Sequence, residues 1–242
     1  YPALTGKTPP RLLCREGKLL REGRPFGFVG INYTRFQMPF CRAAPKGFEI
    51  IAQDVAHMAT WGMTWVRLTL NLAMIQVAEG VFPDNPQWKR EIESRKLNTE
   101  FIEQLNYFLS LCSEHGIYTV IDWHETPTNP YRYFVGGDPQ AQGSGKPGQA
   151  IAWLCKDLTK RTGLNMADPQ HRQALLTSHA WLAKYLKDRP NVAGFEVPFN
   201  EPHDAYLSCQ ANWSSLVSEC CRAVKAAAPE MLTFANTTNY SH

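Results

Sequence analysis

A chain of 242 residues that is 44% hydrophobic and 19% charged has an ordinary globular balance and length enough for one large domain. Its net charge of +3 comes without a long basic run, which argues against a nucleic-acid partner. No apolar run approaches the about 18 residues that a membrane-spanning helix needs.

The chain opens at Tyr1-Pro2 with neither Met nor a signal-like apolar core, so a processed, trimmed or recombinant start is expected. From Leu12 to Pro25 the pattern is a small hairpin, with turns at Glu16-Gly17 and Glu22-Gly23. A first long strand is predicted over Phe26 to Asn32. Apolar residues then recur at helical spacing through Phe48, Ile51, Val55 and Met58 until Gly62 stops them. Thr64 to Leu70 is the next strand. After a polar loop with Pro83 and Pro86, a helix is predicted from Asn98, its N-cap, to His115, burying Phe101, Leu105, Phe108, Leu109 and Cys112.

Ile117 to His124 reads as a third strand, and Glu125 to Ala167 as a long insertion rich in Gly and Pro. Asp168-Pro169 opens a helix whose inner face is Leu175, Leu176, His179, Leu182 and Leu186. A fourth strand follows Asp188-Arg189-Pro190, then a helix through Trp213, Leu216, Val217, Cys220 and Val224. Met231 to Asn236 is a fifth strand.

Near-continuous apolar strands alternating with helices predict a parallel sheet covered by helices. A doubly wound sheet usually carries a Gly-rich phosphate turn after its first strand, and Asn32-Tyr33-Thr34-Arg35 has none. Polar residues mark successive strands instead: Asn32, Arg67, His124, Asn200-Glu201 and Asn236. That distribution predicts a TIM barrel, (β/α)8, with its chemistry at the carboxyl ends of the strands. Only five strands are found, so the chain is expected to hold the first part of a barrel completed by a further C-terminal part.

The fourth strand runs Val192 to Phe199 and ends in Asn200-Glu201-Pro202. Pro202 cannot donate to a ladder, which leaves the Glu201 carboxyl at the strand's exit. A carboxyl so placed can act as a general acid. Glu196 is expected to be paired within the barrel or at its base. Asp122-x-His124 has the spacing of a metal pair but no supporting ligand cluster, and no cofactor is expected. Trp61, Trp65, Trp181 and Trp213 are read as core residues, and Asn129 to Phe134 as either a sugar-stacking platform or a loop packed on itself. Seven cysteines without a CxxC pair leave disulfides open, with Cys112 and Cys220 expected as buried thiols. Sequons at Asn32, Asn212, Asn236 and Asn239 carry little weight, since Asn32 and Asn236 stand at predicted strand ends.

With Val66-Arg67-Leu68, Ile121-Asp122-Trp123-His124 and the Asn-Glu-Pro strand exit in that order, the chain resembles glycoside hydrolase family 5, the cellulase-like retaining β-glycanases of clan A. The likeness runs from Leu12 to the fifth strand. It implies that residues 1–25 close the barrel floor with a hairpin and that residues 26–242 form a partial catalytic barrel, interrupted by the insertion at 125–167. It implies Glu201 as acid/base, Asn200 bonding the sugar hydroxyl beside the reacting carbon, Arg67 beneath the second carboxylate, and His124 lining the cleft. Trp123 is taken with them as a substrate contact.

The family nucleophile, a Glu on the seventh strand, falls outside these five strands, and Glu125 is the one local carboxyl near enough in sequence to be weighed in its place. Family members run to Asn-Glu-Pro with one residue fewer, so Pro198 is read as an inserted bulge. The implied activity is retaining, endo-acting hydrolysis of β-linked polysaccharide, of glucan or mannan type, or of a glycoconjugate, by a secreted protein. The alternative is a catalytically inactive, carbohydrate-binding or scaffold barrel.

Overall fold

The computed structural model describes residues 8–34, 36, 47–70, 97–123, 169–199 and 213–235. Three short strands, β1 (Leu13–Arg15), β2 (Lys18–Arg21) and β3 (Arg24–Pro25), form an antiparallel sheet. Five more form a parallel sheet in sequential order: β4 (Gly30–Tyr33), β5 (Trp65–Leu70), β6 (Tyr118–Trp123), β7 (Val192–Val197) and β8 (Leu232–Ala235). Helices α1 (Gly47–Thr60), α2 (Leu97–Glu114), α3 (Pro169–Leu186) and α4 (Trp213–Ala227) lie between successive strands. The parallel α/β reading therefore holds. Among the described residues no helix is long and apolar enough to cross a membrane.

Helix faces and strand parity build the main core. Ile51, Val55 and Met58 of α1 are buried with Leu105, Phe108, Leu109 and Cys112 of α2, as are Leu175, Leu182 and Leu186 of α3 and Trp213, Leu216, Cys220 and Val224 of α4. They meet Val66, Leu68, Leu70, Ile121, Trp123, Phe195 and Val197, which share one face of the sheet. Each fully buried large apolar side chain contributes roughly 1.5–3 kcal/mol relative to exposure. Burial also drives the Cys112 and Cys220 thiols upward, well out of the thiolate range. Cys14, Cys112, Cys220 and Cys221 are free thiols.

On the opposite face of the sheet, Leu12 is buried with Trp65, Tyr118, Val120 and Ala193, and Leu19, Phe26, Leu232 and Phe234 pack against that group. Phe26 stacks edge-on to Tyr118 at 5.1 Å between ring centroids. Trp65, Tyr118 and Ala193 all stand near the amino ends of their strands. The antiparallel hairpin thus covers the sheet at that end.

Local departures from the sequence reading have physical causes. The strand expected over Phe26 to Asn32 begins only at Gly30, because the Phe26 amide bonds back to the Leu19 carbonyl at 2.8 Å and its ring belongs to the hairpin. Phe28 and Val29 are exposed. Helix α2 opens at Leu97, so Asn98 sits inside its first turn and not at the cap. Its far end closes as expected: Gly116 has φ +68°, Ile117 N donates to the Cys112 carbonyl at 2.8 Å, and Gly116 N to that of Ser113 at 3.0 Å. Trp61, expected in the core, is exposed and stacks on His57.

The entry to β7 is fixed from two sides. Arg189 Nη2 donates to Asn106 Oδ1 at 2.9 Å and its Nη1 to Ser110 Oγ at 3.2 Å, while the buried Asn191 Nδ2 donates to the Leu109 carbonyl at 2.8 Å. These bonds tie the turn before β7 to α2. The β6–β7 register then shifts: Thr119 pairs with Val192, but Val120 pairs with Gly194. Ala193 is thus one residue extra. Pro198, read from the resemblance as an inserted bulge, follows the strand after a cis Val197–Pro198 bond. At Gly194 an added Cβ would stand 2.0 Å from the Leu232 backbone oxygen, so the bulged strand lies against β8 with no room for a side chain.

Candidate active site

Alternation along the strands sets which side chains meet on the face away from the helices. Arg67 shares that face with Trp65, and in β6 Asp122 shares it with Val120. In β7 the extra residue decides the matter. From the helix-facing Val192, strict alternation would turn Glu196 toward the helices; the bulge at Ala193 reverses it, so Phe195 packs under the helices and Glu196 turns to Arg67.

The result is one guanidinium held by side chains from three neighbouring strands. Arg67 Nε donates to Glu196 Oε1 at 2.7 Å and its Nη2 to Glu196 Oε2 at 2.6 Å, a fork-on-fork pair. The same Nη2 lies 3.0 Å from Asp122 Oδ2, and Nη1 donates to Asn32 Oδ1 at 3.4 Å. The Asp122 side chain is 0% exposed, Arg67 20% and Glu196 18%. Charges so enclosed interact more strongly than on an open surface, and the planar fork fixes orientation as well as charge. This polar layer stands above the apolar group around Trp65, Tyr118 and Phe234, nearer the carboxyl ends of β6 and β7.

Glu196, expected to pair within the barrel or at its base, pairs with Arg67 on the sheet face away from the helices. Asp122 as a second partner of Arg67 was not anticipated. Trp123 goes the other way. It is 0% exposed on the helix side, where its indole Nε1 donates to His179 Nδ1 at 3.0 Å. The expected sugar contact at Trp123 is replaced by a packing and hydrogen-bonding role. His124, Asn200 and Glu201 lie outside the described residues, as do Glu125, the segment Asn129 to Phe134 and the rest of the 125–167 insertion. His124 follows β6 directly, and Asn200-Glu201 follow Phe199, which is buried edge-on to Trp213 at 5.6 Å. Among the described residues no group of three or more His, Cys, Asp or Glu side chains stands where it could hold a metal ion.

Between the ends of β6 and β7 lies His179 of α3, fully buried. An indole N–H only donates, so Nδ1 of His179 accepts from Trp123, and Nε2 carries the proton and donates to the Pro198 carbonyl at 2.7 Å. Burial lowers its pKa from 6.5 to about 4, the Pro198 bond opposing that only in part. The sign follows: between pH 6.5 and 4 the unfolded chain binds the proton and the folded one does not. Stability from this group is complete above pH 6.5 and is lost as pH falls toward 4, by roughly 3 kcal/mol across the window. Urea unfolding at stepped pH should show that slope in the wild type and lose most of it in His179→Gln; identical slopes would contradict the assignment.

The family model described as cellulase (glycosyl hydrolase family 5) matches residues 21–242. A beta-xylosidase from Phanerodontia chrysosporium is 25% identical over 162 residues, covering 66% of this chain and 26% of that protein. An endocellulase from Pyrococcus horikoshii, solved with cellotetraose, is 14% identical with a TM-score of 0.59, covering 97% of this chain and 59% of its own. A family 5 mannosidase from Rhizomucor miehei is 15% identical with a TM-score of 0.56, covering 93% and 55%. At such identities the solved structures carry the fold alone, that of a (β/α)8 barrel. The chain spans about a quarter of the length of the curated relative it matches.

Proposed function

Because the chain belongs to glycosyl hydrolase family 5, we propose that the protein is a retaining, endo-acting glycoside hydrolase of β-linked glycans, with Glu201 as its general acid/base. The observation that supports this most is the Arg67 guanidinium clamped by Glu196 and Asp122 on the concave side of five barrel strands, next to the exits that lead to His124 and Asn200-Glu201. A barrel of this kind carries its chemistry at those exits. Retaining hydrolysis requires two carboxyls about 5 Å apart, one attacking the anomeric carbon and one protonating the departing oxygen. In this reading Glu201 gives the proton and later takes one from water. Asn200 bonds the neighbouring sugar hydroxyl, His124 lines the cleft, and the attacking carboxylate comes from a strand beyond the five described. The chemistry asks for water and two carboxyls and no cofactor. A polymeric β-glycan as substrate goes with a protein acting outside the cell.

The intact protein, incubated with β-gluco-, β-manno- and β-xylo-oligosaccharides, tests the reading through the anomeric proton signals of the first products. The xylose series enters because the curated relative is named a beta-xylosidase. Retention predicts that the β-anomer appears first and then mutarotates, with internal bonds cut before terminal ones. The α-anomer appearing first would overturn the mechanism. Saturable binding of these sugars without any cleavage would instead mark a carbohydrate-binding barrel.

A further inference from the structure

We propose that His179 is a positioning residue that locks the exits of β6 and β7 against each other, a role that rests on the reading of Glu201 given above. Trp123 is the last residue of β6 and Pro198 the first after β7, and one imidazole joins them through bonds of 3.0 and 2.7 Å. Rings confine it from both strands: Trp123 lies edge-on at 5.7 Å and Phe195 at 6.1 Å between centroids. The ring is neutral at ordinary pH and offers one acceptor and one donor, which is what an indole N–H and a carbonyl require. His179 makes its bonds to Trp123 and Pro198, so its influence on His124, one residue beyond Trp123, and on Glu201, three beyond Pro198, passes through the backbone.

This linkage is separate from the sheet's own pairing. The β6–β7 ladder gives register as far as Ile121 with Phe195, and the last residues of the two strands have no further partner of each other in it. Beyond that pair the two strand ends are joined on one face through the Arg67 guanidinium, shared by Asp122 and Glu196, and on the helix face through His179. A misplacement of about 1 Å in a catalytic group can cost on the order of a hundredfold in rate, so a modest relaxation of the two exits is enough to be read kinetically.

Steady-state hydrolysis by the intact protein, well below each variant's melting temperature, tests this with His179→Leu, His179→Gln and Trp123→Phe. The expected result for His179→Leu is a kcat lower by about tenfold with KM within about twofold. In His179→Gln, whose amide keeps a donor and an acceptor, most of the lost kcat returns. A His179→Leu protein with a lower Tm but wild-type kcat would overturn the proposal, as would an equal loss in the Gln variant. If the Leu variant does not fold, Trp123→Phe carries the test, since it keeps the bond to Pro198 and removes the donor to Nδ1. A several-fold fall in its kcat at constant KM supports the proposal, and a wild-type kcat overturns it. Should Glu201→Gln remain fully active, the acid/base reading fails whatever His179 does; an inactive Glu201→Gln beside an unimpaired His179→Leu defeats the positioning role alone.

Discussion

Arg67→Met in the intact protein is expected to lower stability by about 3 kcal/mol, at the lower end of the range for breaking an enclosed ion pair. The variant keeps much of the apolar stem but withdraws the guanidinium that Glu196 and Asp122 share. Asp122 is wholly buried, and its carboxyl loses the guanidinium 3.0 Å away. Two features moderate the effect. The Arg67 and Glu196 side chains retain 20% and 18% exposure, so water screens part of their interaction. Asn32 and the backbone around it also remain. Arg67→Lys should fall between, since an ammonium keeps the charge and cannot reproduce the two parallel bonds to Glu196. Urea midpoints at unchanged m-value would read the difference. A loss below about 1 kcal/mol for Arg67→Met would place the cluster among ordinary surface pairs.

The largest kinetic effect is expected at Glu201. An amide in place of the carboxyl has nearly the same shape and cannot supply a proton, so Glu201→Gln should lower kcat on an unactivated β-glycan by about 10² to 10⁴. KM should move little, because the lost interaction belongs to the transition state. Stability should move little too, in contrast to Arg67→Met. The pair of variants thus separates the group that donates a proton from the group that organises the layer behind it.

The α/β class and the barrel were legible because period and length agree everywhere they matter. Val66, Leu68 and Leu70 alternate with Trp65, Arg67 and Thr69, and α2 carries its apolar stripe at helical spacing. The family could be read from short pieces in the right order. What could not be read is how strands meet. Nothing local says that Arg67 reaches Asp122 across one strand and Glu196 across two, because those partners are 55 and 129 residues away in sequence.

Glu196 is the clearest case. Its inward direction depends on the extra residue at Ala193, and a one-residue shift in a strand exchanges its faces. Nothing in the local pattern of Val192 to Val197 marks that extra residue, since it shows only in how β7 pairs with β6. Trp123 failed for a simpler reason: adjacent strand residues face opposite sides, so a Trp next to an inward Asp122 belongs with the helices. The role of His179 was hidden because a histidine on an apolar helix face reads as core, which it is, while its bonds run to two strand ends that the sequence keeps apart.

In this reading Glu201 protonates the departing oxygen, and dependence of rate on the leaving group reports that step. From a 2,4-dinitrophenyl β-glycoside the phenolate departs without protonation, whereas a sugar oxygen departs only once it is protonated. Glu201→Gln is expected to lose about a hundredfold or more in kcat/KM on the oligosaccharide and far less in kcat/KM on the dinitrophenyl substrate, because kcat/KM reports the step that breaks the bond to the leaving group. Equal losses on both, or wild-type rates on the oligosaccharide, would contradict it.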